Sequence, residues 1–73
     1  MAQETVEIPI TGKIISIEVK GGDTVSEGDV LCILESMKME NPIMAPVSGK
    51  IASIGITVDQ VVKPGDVVAV IEY

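Results

Sequence analysis

The apolar positions of this 73-residue chain recur in short alternating runs broken by Gly, Pro and Asp, and no stretch of useful length carries helical spacing. The runs predict strands over residues 5–8, 12–19, 30–35, 39–43, 49–56 and 67–72. Turns are expected at Lys20-Gly21-Gly22-Asp23, Ser26-Glu27-Gly28-Asp29, Val58-Asp59-Gln60 and Lys63-Pro64-Gly65-Asp66, with a short extended piece inside each pair of turns. Pro9, Pro42 and Pro46 are expected to limit the ends of the flanking strands. Alternation places Ile15, Ile17 and Val19 on one face, and Ala52, Ile54 and Ile56 on the equivalent face.

The chain repeats itself. At an offset of 37, residues 9–35 match residues 46–72 without a gap, and 11 of the 27 pairs are identical. Pro9-Ile10-Thr11-Gly12-Lys13-Ile14 answers to Pro46-Val47-Ser48-Gly49-Lys50-Ile51, and Glu35 falls on Glu72. Two copies of one motif predict a pseudo-twofold axis. The expected fold is all-β: two small, mainly antiparallel sheets packed face to face as a flattened barrel or sandwich, with residues 1–73 forming one domain. A core this small is marginal by area, so the two copies must interdigitate to hold together.

Composition narrows the picture. Eleven Val and eleven Ile stand against two Leu and no Phe or Trp, a β-branched bias suited to pleated, half-buried surfaces. The net charge is −6, and all five cations are Lys. Without Arg the chain lacks the planar fork for bidentate phosphate recognition, and with its acidic balance it does not suit nucleic acid. Without His it can form neither a Cys–His pair, a Ser–His triad nor a Cys/His zinc site. The acids follow no calcium-loop pattern, so no metal site is expected. Gly21-Gly22 lacks the Gly-Lys-Ser/Thr sequel of a phosphate loop. Cys32 aligns with Ala69, which suits a small buried position. No apolar run approaches a membrane span and no secretory signal precedes the first strand, so direct membrane insertion is not expected and a cytoplasmic location is.

One segment departs from ordinary architecture. Glu35-Ser36-Met37-Lys38-Met39-Glu40 reads as a tight reversal, yet it holds no Gly, Pro, Asn or Asp. Two-residue hairpin turns recruit those residues because they need positive φ. A turn built against its backbone preference points to side chains chosen for another purpose. The image of Lys38 in the repeat would be position 75, and the image of Met39 is Ala2. The Lys38 turn and the paired chain ends therefore occupy equivalent places, which suits a presented group. Met37 and Met39 serve either as core filler or as soft apolar surface beside the lysine, both on one side of the tip.

Glu35-Ser36-Met37-Lys38-Met39-Glu40, together with Pro46-Val47-Ser48-Gly49 and the Gly28-Asp29 and Gly65-Asp66 turns, resembles the biotinyl domains of the biotin carboxyl carrier family, over about residues 6–72. Those domains usually read Glu-Ala-Met-Lys-Met; here Ser36 replaces Ala. The resemblance implies two four-stranded sheets with the modified lysine on an exposed hairpin. It implies biotin in amide linkage to Lys38, placed there by a biotin protein ligase, with no catalytic residues in the chain itself. It further implies shuttling of carboxyl groups between a biotin carboxylase and a carboxyltransferase or decarboxylase. Met37 and Met39 would flank the cofactor, and Glu35, Ser36 and Glu40 would be read by the ligase and partners. Glu35 repeats as Glu72, which has no lysine beside it, so part of its role is structural. The gap-free repeat leaves no room for the thumb loop of the enterobacterial acetyl-CoA carboxylase carriers. Lipoyl domains share the fold but usually place Asp before the lysine and Ala after it, unlike Met37 and Met39.

Overall fold

Each copy of the repeat supplies four strands, and neither copy completes a sheet alone. The computed structural model describes residues 2–73. In chain order the strands are β1 Gln3–Glu7, β2 Gly12–Ile17, β3 Thr24–Val25, β4 Val30–Ser36, β5 Met39–Met44, β6 Gly49–Ile54, β7 Val61–Val62 and β8 Val67–Glu72. One sheet runs β1-β8-β6-β3 and the other β5-β4-β2-β7. Displacing each strand by 37 residues converts the first order into the second. All pairings are antiparallel, and each sheet takes two strands from each copy. The expected sandwich of interdigitated copies is thus the fold the chain adopts.

The reason for exchange lies in the edges. A single copy would leave its two long strands with only one partner each. In the exchanged arrangement β2 sits between β4 and β7, and β6 between β8 and β3. The core lies between the sheets and repeats in pairs: Ile14 with Ile51, Val25 with Val62, Leu34 with Ile71, and Cys32 with Ala69, all buried. Side chains this small keep the layers close, and the molecule measures 37 × 18 × 17 Å.

The alternation along β2 and β6 requires a correction. Pairing with β4 shifts between Ile14 and Ser16, and pairing of β6 with β8 shifts between Ile51 and Ser53. The skipped residues, Ile15 and Ala52, are β-bulges at equivalent places. Ile14 and Ile51 therefore enter the core, whereas Ile15 is half-buried and Ala52 exposed. Beyond each bulge the phase reverses, and Ile17, Val19 and Ile54 pack partly against the core while Ile56 is buried in it. Pro42 also differs from expectation. It lies inside β5, opposite Ile33, because β5 is an edge strand and the missing N–H costs no ladder bond on its open side.

The turns repeat as the strands do. The Asp29 carboxylate accepts from the Ser26 N–H at 2.8 Å, and Asp66 accepts from the Lys63 N–H at 3.0 Å. Gly28 and Gly65 follow with φ of 92° and 95°, a conformation that favours glycine. Six residues join β2 to β3 and six join β6 to β7, so the first copy carries no inserted loop.

Candidate functional site: the Lys38 hairpin

Strands β4 and β5 pair through Leu34↔Asn41, Glu35↔Glu40 and Ser36↔Met39, and Met37-Lys38 closes the hairpin. The φ values of Met37 and Lys38 are 53° and 64°. Two successive positive φ angles mark the mirror-image turn that matches the twist of a two-residue hairpin. Neither residue is Gly, Asn or Asp, so the left-handed conformation costs roughly 1 kcal/mol or more at each. The sheet twist forces the conformation, and the side chains are retained despite it.

The stalk beneath the tip is firm. Leu34 is fully buried at the third pair below the tip, and Asn41 Nδ2 donates to the carbonyls of Met39 at 3.2 Å and Leu34 at 3.5 Å. On the inner side, β2 passes so close that a Cβ on Gly12 would collide with the Glu35 carbonyl oxygen. Gly49 stands in the same relation to Glu72 at the other end of the pseudo-twofold. This close approach is the reason for glycine at both places.

Lys38 is exposed at the tip. Among the described residues the one ion pair joins Lys13 Nζ to Asp59 Oδ1 at 3.7 Å, so no carboxylate of the fold holds the Lys38 amine. Met37 is 92% exposed and Met39 66%, which rejects the core-filler reading for both. Met37 lines a shallow groove with residues of β2 and β7, whereas Met39 belongs to the edge strand β5 and lies outside it.

The pseudo-symmetry separates what the fold needs from what the site adds. At the far end, Glu72 faces Gln3, whose Nε2 donates to Glu72 Oε2 at 3.4 Å. At the hairpin, the corresponding pair is Glu35 opposite Glu40. A neutral donor has been exchanged for a second carboxylate beside the exposed lysine, and like charges directly opposite are destabilising. Ser36 is half-buried at the last pair before the tip. Cys32, three residues before Glu35 in β4, is fully buried, and burial pushes its thiol up to about 11. It is inert packing in the same place as Ala69.

Sequence reasoning picked out Glu35, Ser36, Met37, Lys38, Met39 and Glu40, and the hairpin brings all six together. It missed Ile10, Thr11, Lys13 and Val61, which adjoin the tip from β7 and from the start of β2. Gly12 reads from the sequence, with its match Gly49, as a backbone requirement, and the approach to Glu35 is that requirement; Val61 lies too far along the chain for any local signal.

An exposed, unpaired primary amine on a strained, braced tip fits a covalently bound group offered to other proteins. The fold and site therefore define a carrier domain. A profile of the biotin-requiring enzyme family matches residues 4–71. The chain is 62% identical over 40 residues to the glutaconyl-CoA decarboxylase subunit gamma of Acidaminococcus fermentans, which covers 55% of this chain and 28% of that subunit. It is 52% identical over 44 residues to the biotin carboxyl carrier protein of Streptococcus mutans, covering 60% of this chain and 34% of that protein. The crystal structure of Kluyveromyces lactis urea carboxylase superposes with a TM-score of 0.90 at 35% identity, over 99% of this chain and 6% of that one. The chain belongs to the biotin-requiring enzyme family: it is a biotin carrier domain, non-catalytic itself, with covalent biotin as its cofactor. The matched stretch spans about a third or less of these curated relatives.

Proposed function

We propose that Lys38 is the residue that carries biotin, joined to it in an amide by a biotin protein ligase. Residues 1–73 then act as one domain that offers the group alternately to a biotin carboxylase and to a carboxyltransferase or decarboxylase. The observation that carries this reading is the exposed Lys38 amine, free of carboxylate contact, on a tip whose positive φ values run against its residue types. Biotin supplies the carboxyl-carrying chemistry; the chain supplies position. Amide formation needs a neutral amine at the moment of attack, and an amine on a projecting tip can enter a ligase site and lose its proton there. The braced stalk lowers the orientation cost for each enzyme that must find the tip. Glu35, Ser36 and Glu40 act as recognition features for the ligase and partners, supported by the exchange of the Gln3–Glu72 hydrogen bond for a Glu35–Glu40 pair. The 62% identity with a decarboxylase gamma subunit favours a decarboxylase as the second partner.

The test is the intact mass of the protein after incubation with biotin, ATP and a biotin ligase. A single biotinyl addition mapping to Lys38 is expected. Addition at another lysine, or none with a ligase active on a control carrier, overturns the assignment.

A further inference from the structure

We infer that the shallow groove walled by Ile10, Met37 and Val61 is a docking site on this domain for the tethered biotinyl group of its own Lys38. The inference rests on the attachment reading above.

The groove begins at the tip. Its lining runs from Glu35, Ser36 and Met37 across Ile10, Thr11, Gly12 and Lys13 to Val61. Met37 immediately precedes Lys38, so the tether is anchored one residue from the groove's lining. In the sheet order β5-β4-β2-β7, β2 and β7 lie one and two strand spacings from β4, about 5 and 10 Å. The lysine stem plus an aliphatic tail covers such a distance.

The chemistry matches. Ile10 is 41% exposed and Val61 73%, and the tethered group is uncharged with an apolar chain. The pseudo-twofold shows that the fold does not require these apolar surfaces. The counterpart of Val61 is Thr24, an exposed polar residue that keeps the same two-residue strand pairing. The counterpart of Ile10 is Val47, which packs against the core with less of itself in water. At these two positions the end that carries the lysine is more apolar than its twin. Of the two charged residues in the lining, Lys13 pairs with Asp59 at 3.7 Å and Glu35 belongs to the hairpin stalk, on the opposite side of β2 from Val61. Docking shields apolar surface while the carrier is between enzymes. It is weak enough, at this degree of exposure, to be released when a partner engages the tip.

Methyl NMR on the full chain tests this in three forms: unmodified, acetylated at Lys38, and biotinylated at Lys38. Acetylation removes the charge without adding the tail. The Ile10 and Val61 methyl signals are expected to move in the biotinyl form alone. In Val61→Thr, which installs the residue of the opposite end, streptavidin capture of the biotinylated protein is expected to be about fivefold faster, the change that roughly 1 kcal/mol of lost apolar contact produces. Ile10→Thr is expected to act likewise. Perturbations confined to residues 36–40, equal shifts in the acetyl form, or unchanged capture rates overturn the docking site while leaving the carrier reading intact. Absence of biotin on Lys38 by mass overturns both.

Discussion

Gly12 and Glu35 are in backbone contact: the Cα of one lies against the carbonyl oxygen of the other, with no space for a Cβ. The contact sits at the foot of the hairpin, and Gly49 and Glu72 reproduce it at the opposite end. Gly12→Ala and Gly49→Ala are expected to lose similar stability, about 1–3 kcal/mol, because each forces two backbones apart. Only Gly12→Ala displaces the stalk of Lys38. Urea unfolding should show two comparable losses, and ligation kinetics a slowing in Gly12→Ala alone.

Lys38→Arg should abolish biotin attachment with the fold intact. Arg stays protonated and cannot serve as the nucleophile. Lys38 is exposed and makes no ion pair among the described residues, so stability should change by no more than about 0.5 kcal/mol. Streptavidin blotting and thermal melting check the two halves of this expectation. A streptavidin-reactive Lys38→Arg protein contradicts the assignment.

The tip holds removable strain. Met37→Asn with Lys38→Gly supplies the residues that positive φ favours in place of residues that resist it. This variant should gain about 1–2 kcal/mol and lose biotin attachment altogether. Equilibrium unfolding compared with Lys38→Arg separates the backbone effect from loss of the lysine.

Glu40→Gln should restore at the hairpin the pairing that Gln3 makes with Glu72. Replacing a like-charge pair with a donor–acceptor pair is expected to stabilise the domain by roughly 0.2–1 kcal/mol, with a smaller gain at high salt. If the second carboxylate is there for recognition, the rate of ligation falls as stability rises. Paired measurements at two ionic strengths test the opposition.

Cys32 makes stability depend on alkaline pH. Burial raises its thiol from 9.0 to about 11. Below pH 9 both folded and unfolded chains keep the proton, and the group contributes nothing to pH dependence. Between pH 9 and 11 the unfolded chain releases its proton while the folded chain retains it, so stability falls as pH rises through this window. The total loss is on the order of 3 kcal/mol. Cys32→Ala, which copies Ala69, should show a flatter decline over the same range.

Much of this molecule is written locally along the chain. The gap-free repeat is enough to imply the pseudo-twofold, because equal residues at equal spacing face equal packing demands. The Val and Ile runs and the Gly-Asp turns follow from φ preferences and pleat alone. Lys38 was legible because residues that resist a turn occupied one. Contacts between distant segments set the remainder. The bulges at Ile15 and Ala52 were not legible: a bulge is one unpaired residue relative to a partner strand, and it leaves the alternation of its own strand looking regular. Pro42 could be placed inside β5 only once β5 was known to be an edge. Met37 and Met39 look alike on either side of the lysine, yet one borders a groove and the other does not, because Ile10 comes to the tip through the pairing of β2 with β4 and Val61 through strand exchange between the two copies. Side-chain identity and local spacing thus determine which residue is presented, while the pairing of strands remote in sequence decides what surrounds it.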